Sequence, residues 1–264
     1  MNNILEKIIS DKKDSIEKYK NSLSIEDLKK NISKYEDYLK FKNKLKKNKV
    51  TVIAEIKKAS PSAGIIVENY DPRLIAKQYF NSGADCLSVL TEEKYFKGKL
   101  EDIFEIKKEV KLPILCKDFM IDSYQVYLAK SFGADAILII LSAIDDKTAN
   151  EIYNVAQELS MSAIVEVHTN EEAKRAINFK NSIIGINNRN LKTLKTDIQT
   201  TYELHKILSN HPEPLICESG IKSEKEVREI VKKTKINNFL IGESLLKDLD
   251  KKPSLLEKIL QIKA

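Results

Sequence analysis

Residues 135–141 read Asp-Ala-Ile-Leu-Ile-Ile-Leu, and a longer polar and amphipathic stretch follows this short apolar run. The same alternation recurs from residue 50 onward. Short continuous apolar runs are typical of strands buried on both faces of a parallel sheet, with helices between them. The runs extend from Val50 to Lys57, Asp85 to Leu90, Leu112 to Lys117, Asp135 to Leu141, Ser162 to His168, Ser182 to Asn187, Pro214 to Glu218 and Asn237 to Gly242.

The number and spacing of these runs favour one architecture. Successive runs begin about 20 to 35 residues apart, which suits one strand, one helix and two short loops. Eight such units in roughly 200 residues predict an α/β fold, a closed (β/α)8 TIM barrel. An open doubly wound sheet is the alternative, although that fold does not require eight strands.

Local motifs agree with this alternation. Gly83-Ala84-Asp85 and Gly133-Ala134-Asp135 each precede a run, and each glycine is expected to end a helix in the left-handed conformation. Asp71-Pro72 predicts a helix start, because Asp can cap the helix and Pro suits its first position. The repeat fifty residues apart is consistent with a spacing of two strand–helix units.

Residues 1–48 precede the pattern and are expected to form an N-terminal helical extension packed on the barrel. Ile4, Leu5, Ile8 and Ile9 would lie on one apolar helix face, and Ser24 would begin a second helix. Residues 49–264 would then form the catalytic barrel.

Charge and composition exclude several classes of protein. The net charge is +6, and residues 1–48 hold +5 of it through thirteen Lys against eight Asp plus Glu. No aromatic or arginine-rich platform accompanies this excess, so we expect a solvated helix face and no nucleic-acid partner. The lysines concerned include Lys40, Lys42, Lys44, Lys46 and Lys47.

Compartment and membrane association follow from similar considerations. No apolar run approaches the roughly 20 residues of a spanning helix, and no secretory signal is readable. Cys86, Cys116 and Cys217 form no C-x-x-C pair, which favours buried free thiols over disulfides or a metal site. We therefore expect a cytoplasmic protein, a monomer, without membrane contact or bound metal.

Polar residues follow apolar ones on the same face at the ends of five runs. Residues two apart on a strand share a face, and barrel enzymes place their active sites at the carboxyl ends of the strands. So many charged groups at one mouth would be costly to bury unless they bound something, which predicts a functional site. The polar residues are Glu55, Lys57, Lys117, Glu166, Asn187, Arg189 and Glu218.

Glycines follow the last two runs. Ser219-Gly220 and Gly242-Glu243-Ser244 lie where barrels commonly bind phosphate through backbone N–H groups, so we expect a phosphorylated ligand. Cys116 and Cys217 should point toward the helices, and His168 is expected to pack in a loop. Phe96 and Phe119 suit either the core or a wall against an aromatic ligand.

Several sequence blocks follow one another in order over nearly the whole chain. They are Glu55-Ile-Lys57, Ala59-Ser60-Pro61-Ser62, Leu90-Thr91-Glu92, Tyr95-Phe96-Lys97-Gly98, Leu115-Cys-Lys117-Asp118-Phe119, Glu166-Val-His168, Gly185-Ile-Asn187-Asn188-Arg189-Asn190-Leu191, Glu218-Ser219-Gly220-Ile221 and Gly242-Glu243-Ser244. Taken together, these blocks resemble the indole-3-glycerol phosphate synthase family. Asn188 and Asn190 stand where the family often has Ser and Asp.

The resemblance implies a carboxy-lyase of tryptophan biosynthesis that needs no cofactor. Its reaction closes the ring of 1-(2-carboxyphenylamino)-1-deoxyribulose 5-phosphate, with loss of carbon dioxide and water, to indole-3-glycerol phosphate. By the same resemblance Lys117 is the general acid, Glu166 handles protons in the dehydration, and Lys57 contacts the substrate or acts as a second acid.

The remaining assignments also rest on the resemblance. Glu55, Asn187 and Glu218 would hold the ribulose hydroxyls, while Arg189 would meet the anthranilate carboxylate or serve a structural role. The phosphate cradle would comprise Ser60, Ser219, Gly220, Gly242 and Glu243. The aryl pocket would comprise Phe96, Phe119, Leu138 and Leu191.

Three other functions are alternatives. A Schiff-base aldolase would use Lys57 or Lys117 as nucleophile. A non-enzymatic protein would bind nucleic acid through the basic N-terminal helices. A phosphoribosylanthranilate isomerase would be expected to use a Cys and Asp pair, and no such pair occurs at the right strand ends.

Overall fold

The parallel barrel is closed. The computed structural model describes residues 4–45 and 48–263, and within them eight parallel strands form a ring in which the first strand (Thr51–Ile56) pairs with both the second (Cys86–Leu90) and the last (Asn238–Ile241). The (β/α)8 prediction is confirmed. The barrel strands are β1 (Thr51–Ile56), β4 (Cys86–Leu90), β5 (Ile114–Lys117), β6 (Ala136–Ile140), β7 (Ser162–Val167), β8 (Ile183–Asn187), β9 (Leu215–Glu218) and β10 (Asn238–Ile241); β2 (Ala59–Ser60) and β3 (Gly64–Ile65) form a small hairpin after β1.

Helices precede the barrel and connect its strands. None of those in the described residues is both long and apolar enough to cross a membrane. They are α1 (Ile4–Ser22), α2 (Ile25–Lys34), α3 (Pro72–Asn81), α4 (Glu101–Glu109), α5 (Tyr124–Ser131), α6 (Asp146–Glu158), α7 (Asn170–Ala176), α8 (Gln199–Leu208), α9 (Glu224–Thr234), α10 (Glu243–Leu246) and α11 (Leu255–Leu260), with a short 3-10 helix at Phe41–Lys44.

Alternate strand residues pack into two apolar clusters. Ile53, Leu115 and Ile164 lie in the cluster inside the barrel, on the faces that carry the predicted polar residues. Cys116 and Cys217 lie in the larger cluster between strands and helices, as their parity predicted. Together with Cys86 they are buried free thiols.

The two Gly-Ala-Asp motifs have matching roles. Gly83 and Gly133 both have positive φ, 90° and 94°, and each lies two residues after the last residue of α3 or α5. The Asp85 carboxylate accepts a hydrogen bond from Val52 N–H, and Asp135 accepts one from Ile114 N–H. Each motif therefore ends a helix and ties the next turn to a neighbouring strand.

The predicted helix starts are also present. Asp71 caps α3, with its carboxylate accepting N–H groups of the first turn, and Pro72 is the first helical residue. The Ser24 hydroxyl accepts the N–H of Asp27 at the start of α2. These caps satisfy donors that the helix itself leaves unpaired.

The N-terminal segment extends from one end of the barrel to the other. Leu5 and Ile8 of α1 pack into the inner cluster, and α1 also contacts the loop after β4, where the Tyr95 hydroxyl donates to Asp11. Helix α2 packs against α5. Phe41 enters the inner cluster at the amino end, where the neighbouring Lys42 N–H donates to Ser162 at the start of β7.

Within residues 4–45 the helical expectation is met by α1, α2 and the 3-10 helix, and it is wrong for residues 35–40. Residues 35–40 are irregular and are tied to the barrel, since Leu39 N–H donates to Asp135 and the Tyr38 hydroxyl donates to the carbonyl of Lys130. These specific contacts replace a helix.

The basic residues that follow do not lie on an α-helix face. Lys40 lies on irregular chain and Lys44 in the 3-10 helix, and both are exposed. Lys42 forms an ion pair of 3.0 Å with Glu213. Lys46 and Lys47 lie outside the described residues. The described lysines are thus solvated, as expected, but without the predicted helix.

Candidate active site

A cavity of about 950 Å³ opens where the carboxyl ends of the strands meet. Of the predicted site residues, only Ser60 does not line it; the Ser60 hydroxyl instead accepts the N–H of Ala63 inside the hairpin, next to the lining residue Pro61. The others line one space: Glu55, Lys57, Phe96, Lys117, Phe119, Leu138, Glu166, Asn187, Arg189, Leu191, Glu218, Ser219, Gly220, Gly242 and Glu243.

Lys117 lies among carboxylates at the end of β5. Its Nζ is 2.8 Å from Glu218 Oε2 and 3.2 Å from Glu166 Oε2. Burial alone would lower the pKa of Lys117, but the negative charges of Glu218, Glu166 and Glu55 outweigh that effect and raise it above its ordinary value of 10.5. The amine is therefore protonated at neutral pH.

Glu218 is buried with spare hydrogen-bonding capacity. Its Oε1 has no hydrogen-bond partner within residues 4–45 and 48–263. The pKa of Glu218 is raised to about 7, mainly by burial; the charge of Glu166 adds to this rise, and the attraction of Lys117 opposes it. An unsatisfied buried carboxylate oxygen is costly and is a ready acceptor for a ligand hydroxyl.

Gly185 makes room for that carboxylate. A Cβ atom at Gly185 would lie 2.1 Å from Glu218 Oε1, so no larger residue fits without displacing the carboxylate. Gly242 plays the same part for Glu55, since its Cβ would lie 2.2 Å from Glu55 Oε1. Both glycines therefore serve the site by their size.

Asn187 connects Glu166 to the following loop. Its amide Nδ2 donates to Glu166 Oε1 over 2.9 Å, and its Oδ1 accepts the N–H of Arg189 over 2.9 Å. The two contacts set the orientation of the amide and leave Glu166 bridged between Asn187 and Lys117. Glu166 is therefore held at a defined place in the cavity.

Glu55 and Lys57 form a second pair at the end of β1. Lys57 Nζ donates to Glu55 Oε1 over 2.5 Å. Burial acts to raise the pKa of Glu55, but the charges of Lys57 and Lys117 together hold it below 4.5. Glu55 is thus ionised between the two lysines, and it holds Lys57 at the cavity.

The predicted cradle consists of two turns. Ser219 and Gly220 after β9 both have positive φ, 65° and 84°, and the Ser219 carbonyl accepts the amide of Asn188. Gly242 precedes α10, which has four residues. Asn188 also accepts the N–H and hydroxyl of Thr201, so this departure from the family pattern is structural.

Several cationic side chains lie near the second turn. The Glu243 carboxylate bonds Lys247 at 2.6 Å, and this bond is the main cause of its lowered pKa, with the charges of Lys57 and Arg189 contributing. The negative charge of the Glu243 carboxylate is therefore balanced by Lys247, and the cations near the turn favour the binding of an anion.

An apolar wall lines another part of the cavity. The rings of Phe96 and Phe119 have centroids 6.2 Å apart. Leu5 and Ile8 of α1 line the cavity with them, as do Leu138 and Leu191. Phe119 is buried in the inner apolar cluster with Phe96 packed against it, and both also line the cavity, so the two interpretations of the phenylalanines are compatible.

Arg189 donates to the Ser62 hydroxyl over 2.7 Å and to the Thr196 hydroxyl over 3.2 Å, so it connects two loops while lining the cavity. His168 packs in its loop, with Nδ1 2.7 Å from the Asn187 carbonyl oxygen. In the part of the chain that the structure describes, no group of three His, Cys, Asp or Glu residues is arranged to hold a metal.

Some residues that contribute to the cavity were not assigned to it from the sequence. The apolar face with Leu5 and Ile8 was predicted, but its place in the cavity was not. Glu92 accepts the N–H groups of Lys94, Tyr95 and Phe96, at 2.7 to 3.0 Å, and so shapes the loop that carries the aromatic wall. Apart from its place in the block Leu90-Thr91-Glu92, its signal in the sequence is a Glu two residues after a buried run.

The closed barrel, with paired lysines and carboxylates in a deep cavity at its carboxyl mouth, defines a (β/α)8-barrel enzyme. A family model described as indole-3-glycerol phosphate synthase matches residues 5–257. The chain belongs to the indole-3-glycerol phosphate synthase family, and it is a carboxy-lyase of tryptophan biosynthesis.

Individual relatives agree. The chain is 42% identical over 255 residues to an indole-3-glycerol phosphate synthase of Prochlorococcus marinus (strain MIT 9515), covering 94% of this chain and 86% of the relative. It is 42% identical over 248 residues to one of Clostridium acetobutylicum, covering 94% of each.

Solved structures share the fold at low identity. The alpha subunit of tryptophan synthase from Legionella pneumophila has a TM-score of 0.57 at 17% identity, covering 89% of this chain and 97% of that one. Phosphoribosyl anthranilate isomerase from Thermotoga maritima has a TM-score of 0.59 at 12% identity, covering 80% and 98%. These likenesses concern the barrel alone.

Proposed function

We propose that the cavity binds 1-(2-carboxyphenylamino)-1-deoxyribulose 5-phosphate and converts it to indole-3-glycerol phosphate. The observation that carries this proposal is the position of Lys117, a protonated amine held between Glu166 and Glu218 in a cavity that also offers an aromatic wall and a backbone cradle. Together these features suit an acid-catalysed step on an aryl sugar phosphate.

Ring closure needs a proton at the ketone oxygen. The ring carbon that carries the carboxylate attacks the ketone carbon, and the Lys117 ammonium gives a proton to the developing alkoxide. Carbon dioxide then leaves, and the electron pair of the broken C–C bond restores the aromatic ring. The raised pKa of Lys117 supports this role because it keeps the amine protonated, and an alkoxide is basic enough to take that proton.

Dehydration needs an acid and a base. The ring nitrogen expels the new hydroxyl group as water, for which Lys57 is the candidate acid. Glu166 then removes the proton from the adjacent carbon, and the C–H electron pair becomes the double bond of the indole. Hydrogen bonds from Asn187 and Lys117 hold the Glu166 carboxylate for this transfer.

The remaining polar groups fit binding roles. Glu218, with its unpartnered oxygen, accepts a ribulose hydroxyl, and Glu55 and Asn187 complete this set. The phosphate sits against the turns at Gly220 and Gly242, where the neutralised Glu243 and nearby cations favour an anion. Arg189 meets the anthranilate carboxylate, for which it would exchange a hydroxyl partner.

The alternative enzymes have less support. A Schiff-base aldolase needs a neutral lysine nucleophile, whereas Lys117 is bonded to two carboxylates that raise its pKa. An isomerase with a cysteine acid or base has no support, because burial raises the pKa of the Cys116 thiol to about 12 and that of Cys217 to about 11.

We also propose that the chain acts in the cytoplasm as a monomer, without nucleic acid or membrane as partner. Its buried free thiols suit a reducing compartment, and residues of one chain line the cavity that α1 of the same chain helps to close. Analytical ultracentrifugation should give the monomer mass of 30.1 kDa, and a stable dimer would contradict this proposal.

Fluorescence tests the enzymatic proposal directly. The chain has no Trp, so indole emission on mixing the protein with the carboxyphenylamino-deoxyribulose phosphate comes from product. We expect a rise with wild type and none with Lys117→Ala. Absence of a rise with folded, ligand-binding wild type would contradict the proposal.

A further inference from the structure

One residue of α1 interrupts an otherwise apolar stripe. Leu5, Ile8 and Ile16 are buried along one face of the helix, and Lys12 lies buried on the same face, 8% exposed. The helical spacing places it where an apolar residue is expected. A buried ammonium is costly unless it is paired, so its partner matters.

The partner of Lys12 is Asp118, the residue after the proposed general acid. Lys12 Nζ lies 2.7 Å from Asp118 Oδ1, and the two side chains are 9% and 8% exposed. Burial lowers the pKa of Lys12, but the charge and hydrogen bond of Asp118 outweigh that effect and raise it above 10.5. The pair is therefore ionic.

Asp118 connects three parts of the molecule through its carboxylate. Oδ1 accepts the N–H of Phe119 over 2.7 Å, and Oδ2 accepts the hydroxyl of Thr91 over 2.9 Å. Thr91 directly follows β4, and Lys12 belongs to α1. Removing Lys12 would leave this buried carboxylate without its countercharge while its other two contacts remain.

The consequence differs for the two neighbours of Asp118. Lys117 is held independently by Glu218 and Glu166. Phe119, in contrast, has its N–H bonded to Asp118, and its ring packs against Phe96 in the cavity wall. A disturbed Asp118 should therefore displace the wall and leave the acid in place.

We propose that Lys12 is a positioning residue of the active site, which acts through Asp118 to hold the turn that places Phe119 in the cavity wall. The inference rests on the proposed function, because that function assigns Phe119 to the aryl group of the substrate. It makes α1 a contributor to substrate binding through one buried ion pair.

A matched control lies two turns further along α1. Lys20 forms an ion pair of the same length, 2.7 Å, with Asp122 in the same loop after β5, but both side chains are 35% exposed. Lys20→Met therefore removes a bridge between the same two segments without leaving a buried charge unpaired.

The experiment compares steady-state kinetics of wild type, Lys12→Met, Lys20→Met and the double variant Lys12→Met/Asp118→Asn. Denaturant midpoints are measured alongside to show that each variant is folded. We expect Lys12→Met to raise KM about tenfold and to change kcat less than threefold, since uniform binding is lost. Lys20→Met should leave both constants within about twofold.

The double variant distinguishes the effect of the unpaired charge on Asp118 from the effect of losing the Lys12 side chain. The amide that replaces the Asp118 carboxylate is neutral and retains groups for the Phe119 N–H and the Thr91 hydroxyl, so KM should return to within about threefold of wild type. A merely structural Lys12 would lower the denaturant midpoint and leave the KM of the folded protein unchanged, which would overturn the proposal. A fall in kcat at unchanged KM would overturn it equally.

Folding and function remain distinguishable in this design. If Lys12→Met does not fold, Lys12→Gln, which retains a hydrogen-bond donor and removes the charge, takes its place, and an unchanged KM overturns the proposal. If wild type itself forms no indole product, the proposed function fails. If wild type is active and Lys12→Met matches Lys20→Met in KM, this inference alone fails.

Discussion

The barrel buries a lysine–carboxylate cluster at each end, and the two clusters differ in how completely they are paired. At the amino end, Asp135 accepts hydrogen bonds from Lys107 Nζ at 2.5 Å, Ile114 N–H at 2.8 Å and Leu39 N–H at 2.6 Å. We call Lys107 and Asp135 the amino-end cluster. Both carboxylate oxygens of Asp135 are occupied by the protein's own donors.

The mouth cluster, Lys117 with Glu166 and Glu218, is incomplete. Glu218 Oε1 has no partner in the described residues. Burial raises the pKa of Glu218, to about 7, and that of Asp135 as well, so the difference between the two clusters lies in their pairing. The same residue types therefore serve two ends. Where every acceptor is satisfied the cluster stabilises the fold, and where one is left open it can accept a ligand.

The largest effect should follow from removing the lysine of the mouth cluster. Lys117→Ala should lower kcat at least about 10³-fold, because no other group in the proposal protonates the ketone oxygen. Phosphate-ligand binding, measured by calorimetry with indole-3-glycerol phosphate, should stay within about tenfold. An equal loss of binding and rate would remove the assignment of Lys117 as acid.

The corresponding change in the amino-end cluster should lower the stability of the fold. Lys107→Met leaves the buried Asp135 without its countercharge, so the free energy of unfolding should fall by about 3 to 5 kcal/mol. Urea unfolding measures this, and kcat of the folded variant should match wild type. A large fall in kcat without lost stability would mean that the two ends are not distinct.

Gly185→Ala tests whether the site needs the space that Gly185 leaves for the Glu218 carboxylate. The added Cβ would lie 2.1 Å from Glu218 Oε1, so the carboxylate must move and kcat/KM should fall about 10²-fold, or ~3 kcal/mol of transition-state stabilisation. Kinetics and circular dichroism are measured together. Wild-type kinetics in this variant would show that the position of Glu218 is not critical.

The pH dependence of stability should differ between wild type and Glu218→Gln. Glu218 has a pKa of about 7 in the fold against an ordinary value of 4.5, so the folded state binds more protons between these values. This contribution to the free energy of unfolding is present below about pH 4.5 and is lost as pH rises through 7. Glu218→Gln should remove that decline, about 1 to 3 kcal/mol. If urea unfolding gave the same pH dependence of the free energy of unfolding for both proteins, this prediction would be contradicted.

The smallest effect is expected outside both clusters. Lys42 pairs with Glu213 while 37% exposed, so Lys42→Ala should lower the free energy of unfolding by no more than about 1 kcal/mol. Kinetic constants should not change. A larger loss would show that the basic segment contributes more than a solvated surface.

Much of the fold was predictable because it depends on local pattern. The eight apolar runs and the parity of Glu55, Lys117 and Glu166 follow from strand geometry, and the helix starts at Ser24 and Asp71 follow from capping. Residues 35–40 were mispredicted as helix, because their structure depends on Asp135 and Lys130 far along the chain.

Pairing within the site was not predictable in the same way. Parity indicates that Lys117, Glu166 and Glu218 face one space, but barrel closure decides which oxygen remains open. The ion pair of Lys12 with Asp118 likewise joins residues of distant segments. Such contacts depend on distances that no sequence pattern encodes.

One crossed measurement tests the distinction between the two ends most directly. It compares the neutral variants Glu218→Gln and Asp135→Asn in turnover and in free energy of unfolding at about pH 8, above the folded-state pKa of Glu218. We predict that Glu218→Gln loses at least about tenfold in kcat/KM with stability equal to or above wild type, and that Asp135→Asn loses about 3 kcal/mol of stability with full turnover. Equal losses of both quantities in both variants would contradict the account.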